Sequence, residues 1–354
     1  KFKNQDCQHK ARFYIFAEKA DLPKKILIIR FSSIGDIVLT TPVIRTVNKQ
    51  TNAEIHFLTK ASFSSVLEGN PYISRIYTIK KSVFEVINEL RHEQYDFIID
   101  LHKNLRSLQV KSLLLKKSVT FSKLNFKKWL AVNTKINRLP EIHLADRYFK
   151  AIKKLNVEND GEGLDYFIPE KDLLFEEDLP DFLTHGFIAI VVGGKHATKI
   201  FPEQKTVELI KKISTPVILL GGPEDHDRAE FIRRQIPDIV FNGCGEFNIN
   251  QSASIINKAD LVITNDTGLM HIAAALRKKI VVLWGNTIPH FGMYPYLPVS
   301  IHNRYRNIQI NDLSCRPCSK IGYERCPKGH FNCMMQIEED EIIRAIKSLQ
   351  KDYS

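Results

Sequence analysis

Short apolar runs alternate with amphipathic helical patterns along most of this sequence. The first run, Lys25–Phe31, is followed by a short Ser/Gly loop and then by an amphipathic stretch from Asp36 to Lys49. Such alternation is typical of a parallel sheet with helices on both faces. It predicts further strands in two series, at Glu54–Thr59, Arg75–Ile79 and Tyr95–Asp100, and then at Phe187–Val192, Pro216–Leu220, Asp238–Phe241, Asp260–Thr264 and Lys279–Trp284.

Two series of strands predict two α/β domains, because 354 residues exceed what one ordinary core holds. An acidic, proline-containing stretch from Pro169 to Asp181 lies between them. Ligands of parallel sheets bind beyond the carboxyl ends of the strands, so we expect a central cleft lined by loops of both domains. The predicted divisions are an N-terminal extension at 1–23, a first domain at 24–168, a linker at 169–182, a second domain at 183–336 and a closing helix within 337–354.

Composition favours a soluble globular protein, with 44% hydrophobic and 26% charged residues. No stretch approaches the roughly 20 apolar residues of a membrane-spanning helix. The first residues carry charges throughout and lack the apolar stretch of a secretory signal. We therefore expect an unexported, cytoplasmic protein. The extension has no functional interpretation, and we expect its residues Phe13–Phe16 to pack on the first domain.

The net charge of +11 is concentrated in one part of the chain. Between His102 and Lys154 there are fourteen Lys or Arg and only two acids, Glu141 and Asp146. A basic field of this kind attracts phosphates, nucleic acid or an anionic membrane surface, or it is simply a solvated helical face. No nucleic-acid-binding motif lies in this window, which favours an anionic small molecule or membrane surface over nucleic acid.

The first candidate catalytic residue is Asp36, in the segment Ser33-Ile-Gly-Asp36 at the end of the first strand. Asp is a preferred N-cap residue, so this carboxylate could simply begin a helix. Alternatively it faces the cleft and takes a proton from an attacking hydroxyl. The segment by itself does not decide between the two.

Residues suited to phosphate follow the strands of the second domain. Gly193 and Gly194 let the backbone approach a ligand, and Lys199 beyond them supplies a point charge. After the strand Asp260–Thr264 comes a turn whose amides, at the start of a small-residue helix, make an anion site. This turn and its helix contain Asp266, Thr267, Gly268 and His271. Glu224 follows a third strand, where it could hydrogen-bond a ribose or could simply be a first-turn acid that the helix dipole stabilises.

These motifs together resemble the heptosyltransferases of glycosyltransferase family 9. The resemblance rests on Ser33-x-Gly-Asp with Pro42, on Thr198-Lys-x-x-Pro202, on Asn265-Asp-Thr-Gly-x-x-His271 and on the C-terminal cysteines, and it extends from about Lys24 to Ile346. It implies a GT-B architecture of two Rossmann-like domains, with a C-terminal helix that returns to the first domain. It also implies inverting transfer from ADP-heptose to the lipopolysaccharide core, without a cofactor or a catalytic metal.

The resemblance assigns roles to particular residues. It makes Asp36 the catalytic base and places Thr198, Lys199, Glu224, Asp266, Thr267, Gly268 and His271 at the donor. Family acceptors carry carboxylates and phosphates, so Lys103, Arg106 and Lys111 become candidate acceptor contacts. The same basic residues could hold the protein on the anionic inner face of the inner membrane.

Other interpretations stay open at this stage. The chain could be a related transferase that uses another nucleotide sugar in surface polysaccharide assembly, or a nucleotide-sugar-binding protein without catalysis. A nucleotide-cofactor oxidoreductase is disfavoured, because Ser32-Ser-Ile-Gly35 stands where a Gly-x-Gly-x-x-Gly turn is needed.

Four of the six cysteines lie close together near the C-terminus, away from Cys7 and Cys244. In an unexported protein, such clustering favours metal binding or packing over disulfides. The spacing could hold a structural zinc, although the later pair lacks the close spacing of a zinc ribbon. Reduced structural cysteines are the alternative. The four residues are Cys315, Cys318, Cys326 and Cys333, with His330 nearby.

Overall fold

Two fully parallel sheets, one in each half of the chain, form the frame of the protein in a computed structural model that describes residues 23–351. The predicted extension, with Phe13–Phe16, lies outside the described residues except for Pro23. The strands are β1 (Lys25–Ile29), β2 (Glu54–Lys60), β3 (Arg75–Ile79), β4 (Phe97–Asp100), β5 (Lys117–Thr120), β6 (Ile188–Val191), β7 (Val217–Leu220), β8 (Val240–Asn242), β9 (Leu261–Asn265), β10 (Ile280–Trp284) and β11 (Tyr305–Gln309).

The strand orders place the switch points where the candidate residues lie. The first sheet runs β3-β2-β1-β4-β5 and the second runs β8-β7-β6-β9-β10-β11, which is the Rossmann-type order in both cases. In such sheets the chain turns in opposite directions from the two central strands, and a crevice opens beyond their carboxyl ends. The segments that leave β1, β6 and β9 therefore line the crevices.

All nine predicted strands are present, and two further ones, β5 and β11, close the sheets. The central strands β6 and β9 are buried along their whole length, and β1 is buried from its second residue onward, which gives the continuous apolar runs visible in the sequence. β5 and β11 lie at sheet edges and are partly exposed, so their sequences are polar and do not have a strand pattern.

The amphipathic stretch after β1 forms two helices instead of one. Pro42 lies in the first turn of the second helix, where its missing N–H costs nothing. In one continuous helix the Pro42 ring would clash with the carbonyl of Val38. The helices are α1 (Ile34–Val38), α2 (Thr41–Thr51), α3 (Ile87–His92), α4 (Leu105–Leu114), α5 (Asn125–Thr134), α6 (Leu144–Ile152), α7 (Glu203–Ile213), α8 (His226–Gln235), α9 (Ile249–Lys258), α10 (Gly268–Ala275), α11 (Asn332–Met335) and α12 (Glu339–Lys351).

The resemblance implied that the closing helix returns to the first domain, but α12 packs on the second domain instead. It lies against α7, β10 and β11 of the second domain. The apolar residues Ile342, Ile346 and Leu349 repeat at helical spacing and are buried in the core of that domain. An ion pair between Lys205 of α7 and Glu339, with 2.5 Å between nitrogen and oxygen, fixes the start of the helix there.

The predicted linker packs on the second domain. Asp172 is buried and accepts hydrogen bonds from the side-chain amides of Asn248 (2.8 Å) and Asn250 (3.0 Å). The Leu174 N–H donates to the hydroxyl of Ser254 in α9 (2.9 Å).

The two domains meet at a tight contact between α1 and α10. One continuous apolar cluster includes Ile37 and Leu39 of the first domain and Met270 and Ile272 of the second. Because α1 follows β1 and α10 follows β9, this contact joins the switch points of the two sheets.

Candidate active site

Asp36 lies in α1, beyond the carboxyl end of β1, with its side chain one-fifth exposed. It is the third residue of the helix, so the expectation that it might be the N-cap is wrong; Ser33 occupies that position. The Ser33 N–H (3.2 Å) and hydroxyl (3.0 Å) both donate to Asp36 Oδ2. These bonds fix one oxygen of the carboxylate and tie it to the helix start.

Arg30 holds the other oxygen of Asp36, a role that the sequence analysis missed. Its Nη2 lies 2.7 Å from Asp36 Oδ1. Arg30 is itself buried, and it also donates to the carbonyl oxygens of Ser32 (2.8 Å) and Leu101 (2.5 Å) and to the hydroxyl of Tyr148 (3.2 Å). A charged residue at the end of an apolar strand was the available signal.

The charge state of Asp36 follows from these contacts. Burial raises the pKa of the carboxyl, but the Arg30 guanidinium and the Ser33 hydrogen bonds together lower it more, and the net pKa lies below its usual value. Asp36 is therefore ionised at neutral pH and is able to accept a proton.

Lys199 and Asp266, which the sequence predicted from two separate motifs, form one ion pair in the second domain. Lys199 Nζ lies 2.6 Å from Asp266 Oδ2, and the Thr287 hydroxyl donates to the same oxygen at 2.9 Å. Burial raises the pKa of Asp266, but Lys199 and the Thr287 hydrogen bond lower it more, so the net pKa lies below the usual value. Thr287, just beyond β10, was not predicted.

The start of α10 lies directly against α1. Thr267 is the N-cap residue, and the first amides of the helix, from Gly268 onward, lie at its positive end. A Cβ atom on Gly268 would come within 2.8 Å of Ile34 Cγ2. A Cβ on Gly35 would lie 2.5 Å from His271 Cδ2. The two glycines therefore permit the close approach of the domains.

His271 is buried at this contact and is uncharged at neutral pH. Burial lowers its pKa to about 4 despite the raising effect of Asp266 and Asp36. Its Nδ1 has no hydrogen-bond partner within residues 23–351. A buried imidazole of this kind is able to accept or donate a hydrogen bond to a ligand between the domains.

The two remaining predicted donor residues, Thr198 and Glu224, lie in different surroundings. The Thr198 hydroxyl accepts the Tyr323 N–H (2.8 Å) and donates to the Tyr323 carbonyl (3.1 Å), so it fixes the loop that carries Lys199 instead of facing a ligand. Glu224 is exposed. Its neighbour Asp225 is buried and bonded to Arg228 (2.8 Å), an arrangement that was not predicted.

Two cations that the sequence analysis did not single out lie in the cleft. Lys128 of α5 has its ammonium 5.3 Å from the centre of the Phe291 ring of the second domain. Burial and Arg147 lower its pKa, whereas Asp36 and Asp266 raise it, and the net pKa is about 8; Lys128 is therefore close enough to both carboxylates to sense their charge. Arg147 of α6 is buried, and its Nε and Nη1 lack hydrogen-bond partners in the described chain.

The three predicted acceptor contacts are not equivalent. Lys103 and Arg106 are exposed near the start of α4. Lys111 is engaged inside the first domain, with its ammonium 2.6 Å from the Thr120 hydroxyl and 3.1 Å from the buried Asp100 carboxylate. Lys111 thus joins α4 to the sheet edge and does not present a free charge.

The C-terminal cysteines do not form a recognisable metal centre. Cys315, Cys318, Cys326 and Cys333 are free thiols, and Cys315 Sγ lies 3.9 Å from His330 Nε2. Between residues 23 and 351, no three His, Cys, Asp or Glu side chains are grouped to hold a metal ion. The zinc alternative stays a prediction, which metal analysis of protein prepared without chelators would test.

A carboxylate of one domain and a lysine–carboxylate pair of the other, set at the switch points of two Rossmann-type sheets, define a two-domain transferase for nucleotide sugars. The sequence model of glycosyltransferase family 9 (heptosyltransferase) matches residues 83–325. The chain belongs to this family, and the predicted resemblance is confirmed.

Curated relatives and solved structures agree with the assignment. Lipopolysaccharide heptosyltransferase 1 of Campylobacter coli is 25% identical over 93% of this chain and 99% of its own length. A family 9 glycosyltransferase of Veillonella parvula has the same fold, with a TM-score of 0.73, 22% identity and coverage of 94% of this chain and 99% of its own. The E. coli heptosyltransferase WaaC with ADP-2-deoxy-2-fluoro heptose has a TM-score of 0.63, 18% identity and coverage of 93% and 100%.

The GT-B fold predicted from the sequence is thereby confirmed. The chain is a glycosyltransferase that transfers heptose to the lipopolysaccharide core. Within the described residues, no helix is both long enough and apolar enough to span a membrane.

Proposed function

We propose that this chain moves heptose from ADP-heptose to an anionic lipopolysaccharide precursor, inverting the anomeric centre. The observation that carries the proposal is the position of Asp36 relative to the donor side. His271 of the second domain touches Gly35, the residue next to Asp36, and the Lys199–Asp266 pair lies in the same domain as His271. A donor held in the second domain would thus present its sugar to Asp36.

The reaction is a single displacement. The acceptor oxygen attacks the anomeric carbon, and its proton passes to Asp36. The bond between that carbon and the diphosphate oxygen breaks, and ADP leaves with the negative charge. Lys199 and the amides at the start of α10 are the donor-side groups suited to that charge. They also make a metal ion unnecessary for the leaving group in this proposal.

The remaining donor residues have supporting roles. Asp266 orients the sugar hydroxyls and Lys199, while the neutral His271 offers a hydrogen bond between the domains. Glu224 is free at the surface to reach a ribose. Thr198 acts indirectly, by fixing the Lys199 loop.

ADP-heptose is the proposed donor because an ADP-heptose analogue is what the E. coli structure of the same fold holds. A transferase that uses another nucleotide sugar would share this arrangement of groups. So would a protein that binds the donor without transferring it, although such a protein would not need Asp36 and its Arg30 support.

The acceptor's anionic groups have two sets of candidate partners. Arg147 and Lys128 lie inside the cleft, and a buried arginine with unpaired N–H groups is suited to a carboxylate or phosphate. Lys103 and Arg106 lie at the surface nearby and could guide the acceptor in. We place the reaction in the cytoplasm, at the anionic inner face of the membrane that holds the lipid precursor.

Calorimetry with ADP, UDP, GDP and CMP tests the donor. We expect ADP to bind at least about tenfold more tightly than the other three. A preference for UDP or GDP would replace ADP-heptose by another nucleotide sugar.

A transfer assay with ADP-heptose and a deacylated core acceptor tests the reaction. We expect transfer with inversion, and we expect the rate to persist after dialysis against EDTA. Donor binding without transfer to any core acceptor would favour the non-catalytic alternative, and loss of the rate in EDTA would refute metal independence.

A further inference from the structure

Two helices near the cleft carry apolar side chains on their outward faces. In α4 these are Leu105 (79% exposed) and Leu108 (53%), and in α5 they are Phe126 (73%) and Trp129 (51%). Each pair is three residues apart, so both members lie on one face of the helix. The Phe126 and Trp129 rings stack, with centroids 6.2 Å apart. We call these four residues the docking face.

Exposed apolar side chains are concentrated in this part of the molecule. Scattered single residues of this kind are normal on soluble proteins, but a cluster marks an interaction surface. Of the fourteen large apolar side chains exposed within residues 23–351, six fall in the short segment from α4 to just beyond α5: Leu105, Leu108, Leu115, Phe126, Trp129 and Ile136.

The helices α4 and α5 follow β4 and β5, which are neighbouring parallel strands, so both helices begin beyond the carboxyl end of the first sheet. Lys111 of α4 bonds to Thr120 at the end of β5. Lys103, just before α4, also helps to lower the pKa of Lys123, just before α5, after the larger effects of burial and Arg30.

The segment of chain that bears the docking face carries only positive charge. From His102 to Pro140 the chain has ten Lys or Arg and no acid. Among the described residues only Lys111 of these ten forms an ion pair with an acid. Lys103, Arg106 and Lys127 are exposed beside the apolar side chains. Aromatic side chains flanked by unpaired cations are the combination that binds the interface of an anionic bilayer.

We propose that the docking face binds an anionic bilayer, with Phe126 and Trp129 entering the interface and the flanking cations facing the lipid headgroups. This deepens the proposed function and rests on it, because the lipid-linked acceptor is held in such a bilayer. Lys128, next to Trp129 in α5, has its ammonium 5.3 Å from the centre of the Phe291 ring of the second domain, so α5 lies beside the opening between the domains. Docking there would bring the mouth of the cleft to the membrane.

Vesicle sedimentation of the full chain tests the surface. We expect binding to phosphatidylglycerol-rich vesicles at low salt, with F126S/W129S bound at least about tenfold more weakly. The matched control is F175S, which removes another aromatic side chain that is 59% exposed, in the linker segment. Equal binding by wild type and F126S/W129S, or equal loss in F175S, would overturn the proposal.

Tryptophan emission gives a second measurement on the intact protein. Of the two tryptophans, Trp284 is buried in the second domain and only Trp129 is exposed. We expect a blue shift on adding anionic vesicles and quenching by brominated lipids, both lost in W129F. If the shift persists in W129F, or if F126S/W129S abolishes self-association while no vesicle binding occurs, the docking face has another role.

Activity separates this proposal from the proposed function. F126S/W129S should match wild type on a deacylated, water-soluble acceptor and should be slower on the lipid acceptor in vesicles. Equal rates on the vesicle acceptor would contradict docking by this face. If wild type transfers heptose to neither acceptor, the proposed function fails, whereas the vesicle measurements still decide the docking face.

Discussion

A carboxylate that accepts a proton must stay ionised and must be held in a fixed orientation. The neighbours of Asp36 provide both conditions. Arg30 and Ser33 hold separate oxygens of the carboxylate and lower its pKa together. A lower pKa makes a weaker base, so the gain lies in orientation and in a charge that persists at neutral pH. Arg30 is thus a positioning residue.

Asp36→Asn is expected to lower kcat about a hundredfold or more, because the amide cannot accept the acceptor proton. Affinity for ADP should stay close to wild type, since the donor groups lie in the second domain. Steady-state kinetics and calorimetry measure the two effects. Asp227→Asn, an exposed acid in α8, is the control, and near-normal turnover of Asp36→Asn would refute the base assignment.

Lys128 should impose a pH dependence on acceptor use. Its pKa of about 8 means that the cation is present below that pH and is lost as pH rises through it. If the cation binds the acceptor, kcat/KM for the acceptor falls above about pH 8. Lys128→Arg should abolish that fall, because arginine stays charged. A profile that is unchanged in Lys128→Arg would assign the fall to another group.

At the scale of elements, burial decides which helices contribute to the core and which face outward. The first-domain helices α4 and α5 leave apolar residues exposed, whereas α12 has its apolar side chains inside the second domain. The amphipathic pattern of α12 predicted a helix correctly, but it did not specify which surface the helix covers.

Leu349→Ala is expected to lower the free energy of unfolding by about 2–5 kcal/mol, because it leaves a cavity in the second-domain core. Lys347→Ala, on the exposed side of α12, should change it by less than about 0.5 kcal/mol. Urea denaturation measures both. A Leu349→Ala protein as stable as wild type would mean that α12 is not packed as described.

At the scale of the whole molecule, the contact of α1 with α10 aligns the two halves of the site. A second link reaches from α5 to the cysteine-rich segment, where the Lys135 ammonium donates to the carbonyl oxygens of Pro317 (2.8 Å) and Cys315 (3.1 Å). The relative position of the domains therefore depends on glycines small enough for the contact between α1 and α10, and on a lysine long enough to reach the cysteine-rich segment.

Gly35→Ala should disrupt this alignment, because its methyl group would lie 2.5 Å from the buried His271 ring. We expect kcat to fall about a hundredfold, as for a displacement of reacting groups by about 1 Å. ADP binding should be less affected than turnover.

Gly329→Ala is the comparison for Gly35→Ala, since the added methyl group meets nothing within 4 Å there and causes only local turn strain. Kinetics and ADP calorimetry on both variants test the contact. Full activity of Gly35→Ala would show that the two helices need not touch during turnover.

The sequence by itself determined the two parallel sheets, their central strands, the family and the short motifs with Asp36, Lys199 and Asp266. Apolar runs and backbone turns are local features of the sequence, so they can be recognised without knowledge of the fold. Tertiary structure alone decided that Arg30 holds Asp36, that Lys199 pairs with Asp266 and that Lys128 and Arg147 enter the cleft. It also decided that Thr198 and Lys111 are occupied elsewhere and that α12 stays on the second domain. These pairings join residues of different elements, and charge and hydrogen-bond partners depend on distance in space and not on position in the chain.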